Sequence, residues 1–183
     1  SDRGSESAGA PVGLALAEGS GRRPAVVLID GRSGSGKTVL AEELHATLGG
    51  AVLHLDDLYP GWDGLAAGSA AVAAALTSGA YRRFDWNTLA SAERVELSHG
   101  GALIIEGCGA LTRRNLEAAR EWAAGESLYS IWLECPGAVR RARALQRDGE
   151  MFRPHWDRWA AQEEAHIARE APIALADEVK HCR

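Results

Sequence analysis

Apolar and polar positions run along this chain in two rhythms. Residues 24–30, PAVVLID, form a short β-branched run of the kind buried in a sheet. Val39, Leu40, Leu44 and Leu48 then recur at helical spacing, and Gly49 and Gly50 supply a stop. Residues 51–57, AVLHLDD, predict a second strand ending in acid. Residues 64–79 are alanine-rich and glycine-bounded, which predicts a helix. Residues 102–107 and 128–134 predict two more strands, and 113–125, 138–149 and 155–170 predict three more helices. Alternating strands and helices imply an α/β fold with a parallel sheet covered on both faces. Ligands in such sheets bind at the carboxyl ends of the strands. Residues 1–23 are small and polar and read as a flexible N-terminal segment, leaving 24–183 as a single domain.

Between the first strand and the first helix stands IDGRSGSGKT, residues 29–38. Gly31, Gly34 and Gly36 each weaken regular structure, so their clustering predicts a backbone that passes close to a ligand. Gly31, Gly36, Lys37 and Thr38 occupy the fixed places of G-x-x-x-x-G-K-[ST], with Ser33, Gly34 and Ser35 completing the loop. Backbone N–H groups and the helix macrodipole favour an anion there. Lys37 adds a full charge for the outer phosphates, and the Thr38 hydroxyl is placed to ligate Mg²⁺. A nucleoside triphosphate is the expected ligand.

Composition narrows the classes little. Apolar residues make up 46% of the 183 and charged residues 25%, ordinary for a globular protein. A net charge of −5 argues against nucleic acid held on a broad basic surface. No apolar stretch predicts a membrane span. Cys108, Cys135 and Cys182 show no metal-ligand spacing and no disulfide framework, which suits a reducing, cytoplasmic setting.

The strand ends hold the remaining chemistry. Asp56 and Asp57 face the outer phosphates in such a sheet, one as proton acceptor and one as a Mg²⁺ partner through water, or else they cap a turn. Glu106 ends the third strand and is a candidate for the Mg²⁺ shell. YRRFDW, residues 81–86, reads either as an acceptor pocket built on Arg83, Asp85 and Trp86 or as a packing anchor. Arg140, Arg143 and Arg147 share a helix face and read either as a phosphate-contacting lid or as a solvated basic face. His155, Trp156, Trp159 and His166 read as helix packing.

Together these stretches resemble the P-loop small-molecule kinases, in particular the uridine kinase and nicotinamide riboside kinase branch. IDGRSGSGKT is similar to that family's phosphate loop, LDDLY to its strand-ending Asp and following aromatic, LIIEG to its third strand and QRDG to the end of its arginine-bearing lid. The resemblance spans most of residues 24–148. It implies a three-layer P-loop NTPase fold, ATP and Mg²⁺ as cofactors, and a small hydroxyl-bearing acceptor, first of all a nucleoside. It also implies Asp56 as catalytic base with Asp57 as the alternative, Tyr59 beside the acceptor, and Arg143 and Arg147 as catalytic lid residues. YRRFDW departs from the longer acceptor segment of uridine kinases, and the tail is tryptophan-rich. A nucleoside monophosphate kinase using Arg82 and Arg83, or a non-catalytic nucleotide switch, are the alternatives.

Overall fold

A computed structural model describes residues 23–182. The elements in chain order are β1 (Val26–Gly31), α1 (Lys37–Leu48), β2 (Ala51–His54), α2 (Leu65–Ser78), β3 (Ala80–Asp85), β4 (Ala90–Glu96), β5 (Leu103–Glu106), α3 (Arg113–Ala123), β6 (Leu128–Glu134), α4 (Gly137–Asp148), α5 (Trp156–Glu170), α6 (Pro172–Leu175) and β7 (Glu178–His181). Five strands form one parallel sheet in the order β2-β5-β1-β6-β7, and β3 and β4 form a separate antiparallel hairpin. The segment expected to be flexible, residues 1–23, lies outside the described residues except for Arg23.

Strand alternation splits β1 between two cores. Val27 and Ile29 pack with Leu40, Ala41, Leu44 and Leu48 of α1 and with Ile104 and Ile131 of the neighbouring strands. Val26 and Leu28 face the other way, onto Val72 and Leu76 of α2, Leu116 and Ala119 of α3, and Trp159 of α5. All six β1 residues are buried, as a central strand with two covered faces requires. Among the described residues no helix is long and apolar enough to cross a membrane.

Four features differ from the expectation. The strand predicted over 51–57 stops at His54, and Leu55–Asp57 form a 3-10 turn, so both aspartates sit just past the sheet edge. YRRFDW is not a link between helices: most of it is β3, paired with a strand whose exposed, mixed residues gave no alternation to read. β7 has one apolar residue, Val179, and forms an edge strand beside β6. Cys135 and Cys182, expected to be unpaired, are joined by a disulfide across 47 residues of sequence, next to the last β6–β7 pair. Only tertiary pairing brings those two cysteines together.

Asp30, at the end of β1, fixes the carboxyl edge of the sheet. It is fully buried. Its Oδ1 accepts N–H bonds from Gly31 at 2.7 Å and Gly109 at 3.1 Å. Its Oδ2 accepts from Leu111 N–H at 3.0 Å and from His166 Nε2 at 2.8 Å. One carboxylate thus ties β1, the loop after β5 and helix α5 together. Asp30→Ala should lower stability by about 3–5 kcal/mol, because several buried donors lose their acceptor. Urea unfolding checks this, and a loss under about 1 kcal/mol would contradict the assigned role.

Candidate active site

The loop from Gly31 to Gly36 enters α1 with no side-chain cap, so the first-turn amides of that helix have no intrahelical acceptor. Gly36, the cap residue, has φ 97°, and a Cβ there would meet nothing within 4 Å. Gly34 has φ 81°, and a Cβ there would lie 2.0 Å from the Arg140 carbonyl oxygen. The loop is therefore pressed against the first turn of α4. Arg140 is buried and reinforces that contact, donating through Nε to Cys135 O at 3.0 Å and through a terminal nitrogen to Ser33 O at 3.4 Å. It is a bracket for the loop rather than part of a solvent-facing lid.

Lys37 is buried and donates to Arg32 O at 3.0 Å. Burial opposes its charge, but nearby Cys108, Glu106, Glu163 and Asp30 outweigh that cost and hold its pKa above the usual lysine value. Thr38 Oγ1 donates to Glu106 Oε1 at 3.3 Å. The same oxygen lies 2.6 Å from His54 Nδ1, and that hydrogen bond raises the His54 pKa. Among the described residues no cluster of three or more His, Cys, Asp or Glu could enclose a metal. Mg²⁺ needs no such cluster, since it keeps waters and takes one or two protein oxygens beside substrate phosphates. A hydroxyl and an oriented carboxylate beside the phosphate loop fit it.

The loop, Lys37, Thr38 and Glu106 line one side of a cavity of about 200 Å³. Asp56 lines it too, and Asp57 does not. The Asp56 side chain is open to solvent on the cavity side, yet loss of water to the surrounding protein and the Glu106 charge raise its pKa, partly offset by Lys37 and Arg147. Much of the remaining lining is aromatic. Trp62 meets Trp86 and Phe152 edge to face, with ring centroids 4.9 and 5.3 Å apart, and Tyr59 meets Trp159 at 4.8 Å. Trp86 is held by its indole N–H, which donates to Asp56 O at 2.8 Å. The Tyr59 hydroxyl donates to Cys108 O at 2.6 Å, so this residue offers the cavity only its ring.

Other candidate residues lie elsewhere. Arg83 forms a two-pronged pair with Glu93 across the hairpin, and Asp85 accepts from Asn87 N–H in the turn. Neither lines the cavity. Arg147 does, paired with Asp148 beside it. Arg143 points instead at Cys135, with its guanidinium 3.8 Å from Sγ. The sequence assigns no site role to the wall residues Trp62 and Phe152 or to His54, reads Trp159 as helix packing, and notes Cys108 only for its lack of ligand spacing. The crowded FRPHWDRW, residues 152–159, is the available signal for the aromatic wall.

No protein-family model matches the chain, and no curated protein matches it. Among solved structures it is similar to a possible uridine kinase from Bacillus stearothermophilus, with 22% identity and a TM-score of 0.53 over 86% of this chain and 88% of that one. It is also similar to a sugar kinase from a Janibacter species, with 18% identity and a TM-score of 0.51 over 86% of this chain and 85% of that one. At such identities the likeness is one of fold. The chain has a three-layer α/β fold like that of these kinases, as the resemblance implies, with the covered parallel sheet that its alternating strands and helices predict.

The two loop glycines should respond differently to an added methyl. Gly36→Ala strains φ alone, at about 1–2 kcal/mol. Gly34→Ala must also displace the Arg140 backbone and should cost about 3 kcal/mol or more. Equal losses in urea unfolding would mean that the loop does not lean on α4.

Proposed function

We propose that residues 24–183 form an ATP-dependent phosphotransferase that moves the γ-phosphate to a hydroxyl of a small acceptor, with a nucleoside as first choice. The observation that carries this reading is a single cavity shared by the phosphate loop, the Asp56 carboxyl and an aromatic wall. The loop amides and the Lys37 ammonium bind and orient the triphosphate. Asp56 takes the proton of the acceptor hydroxyl as that oxygen bonds to the γ-phosphorus, and the electron pair of the breaking bond leaves on the β-phosphate oxygen. Thr38 and Glu106 would hold Mg²⁺, which would offset charge on the phosphate oxygens. Arg147 places a guanidinium on the same cavity.

The tryptophan wall supports an acceptor with a flat ring, which stacks well on indole faces and edges. A monophosphate acceptor is less well served. Arg82 donates to Ala92 O and Arg83 is paired with Glu93, so neither faces the cavity. A nucleotide switch would leave the room beside Asp56 without a role. An ATP donor suits a cytoplasmic enzyme, while the Cys135–Cys182 disulfide withdraws the support that unpaired cysteines lent to that location.

Kinetics test the assignments. Lys37→Ala should abolish turnover and weaken calorimetric binding of a Mg²⁺-loaded ATP analogue; unchanged values for both would overturn the site. Asp56→Asn should cut kcat by about two to four powers of ten with little effect on ATP binding, while Asp57→Asn stays mild. Because the Asp56 carboxyl is raised, its basic form is lost on acidification at a higher pH than for an ordinary aspartate. The acid limb of kcat/KM should lie correspondingly high, and it should vanish with Asp56→Asn. Trp86→Ala should raise the acceptor KM far more than that for ATP. An equal rise in both would make the indole a packing group.

A further inference from the structure

Helix α5 meets the phosphate loop through a carboxylate that phosphoryl transfer does not use. Glu163 is 3% exposed. Its Oε2 accepts the Ser33 backbone N–H at 2.6 Å and the Cys108 thiol at 3.3 Å, and its Oε1 accepts Arg32 Nε at 3.3 Å. Burial pushes the Cys108 pKa up to about 12, so the thiol keeps its proton and acts as donor. Arg32 also donates to Ala160 O at 3.4 Å, one turn earlier on α5. The Ser33 amide, which the sequence assigns to the phosphates, is therefore engaged from behind the loop.

The rest of this helix face explains why Glu163 can hold the loop firmly. His166, one turn on, meets Asp30 at the root of the loop. Gln162 donates to Trp62 O at 2.7 Å and accepts from Leu65 N–H at 3.2 Å, which fixes α5 to the segment before α2. Trp159 is buried against Tyr59. Between Arg32 and Gly36 the loop's backbone bonds are few: Ser35 N–H to Arg32 O at 3.1 Å and, at the loop's end, Leu40 N–H to Gly36 O at 3.1 Å. A turn so lightly bonded needs an external acceptor to fix the Arg32–Ser33 stretch, and thereby the direction of the amides that follow.

We propose that Glu163 is a positioning residue of the triphosphate site, fixing the first half of the phosphate loop from α5 so that its second half is preorganised for phosphate. The inference rests on the phosphotransferase reading above. Its test is calorimetric titration of a Mg²⁺-loaded, non-hydrolysable ATP analogue into wild type, Glu163→Gln, Glu163→Ala and Glu164→Gln, well below each melting temperature. Glu164 is exposed and reaches Arg32 only at 3.8 Å, so Glu164→Gln should bind within about twofold of wild type. Glu163→Gln keeps the shape but cannot accept from every donor, and it should lose about tenfold in affinity, with Glu163→Ala losing more. Hydrogen exchange on folded Glu163→Gln should show faster exchange at residues 33–36. A wild type that binds while folded Glu163→Gln binds within twofold, with unchanged exchange in the loop, overturns this inference alone. A wild type that does not bind the analogue overturns both it and the proposed function.

Discussion

A phosphate loop must aim several N–H groups at one point without the ladder of hydrogen bonds that stiffens a helix or strand. The whole site depends on how this chain meets that constraint. Two buried carboxylates do much of the holding. Asp30 gathers four donors at the end of β1, and Glu163 gathers three along the first half of the loop. Such groups are costly to bury unless nearly every lone pair is used, and here donors from loop, sheet edge and α5 use them. The Arg140 bracket and the tight contact at Gly34 close the loop from its other side.

The same arrangement sets the electrostatics of the cavity. Lys37 lies among acids and keeps its charge despite burial. Glu106 is oriented by Thr38 and His54 on the lining of the cavity, where the proposed function gives it a hard cation to hold. Asp56, open to the cavity, is pushed toward its neutral form by partial loss of surrounding water and by Glu106, and pulled back by Lys37 and Arg147. That balance suits a proton acceptor better than a strongly stabilised carboxylate would. The aromatic wall then supplies bulk and shape, with Trp86 tied to the Asp56 backbone so that ring and acid move together.

Local spacing carried most of the fold into view. The loop motif, four of the five sheet strands and the main helices are periodic or motif-bound, and each can be recognised from neighbours in sequence. β7 and the β3–β4 hairpin could not, because their residues are short, exposed and mixed in polarity. At the candidate site, Lys37 and Thr38 were legible from the loop motif, and Asp56 and Glu106 because strand ends must converge at one edge of a parallel sheet. Arg83 and Asp85 were not separable from Trp86 in YRRFDW, since strand alternation and a turn decide which of them reaches the cavity. Glu163 and Trp159 stand far along the chain, and only the packing of α5 brings them to the loop. The disulfide between Cys135 and Cys182 has the same origin: β7 returns beside β6, and nothing in the spacing of the cysteines announces it.

The central claim is that the cavity transfers a phosphoryl group rather than merely holding a nucleotide. The most direct test is to incubate the wild-type protein with Mg²⁺ and ATP against a panel of nucleosides, nucleotides, sugars and cofactor precursors. ADP release and the mass of each acceptor are then followed together. A flat-ringed acceptor should gain one phosphoryl group for each ADP formed. ADP formed at the same slow rate with every compound, and no acceptor gaining mass, would contradict it.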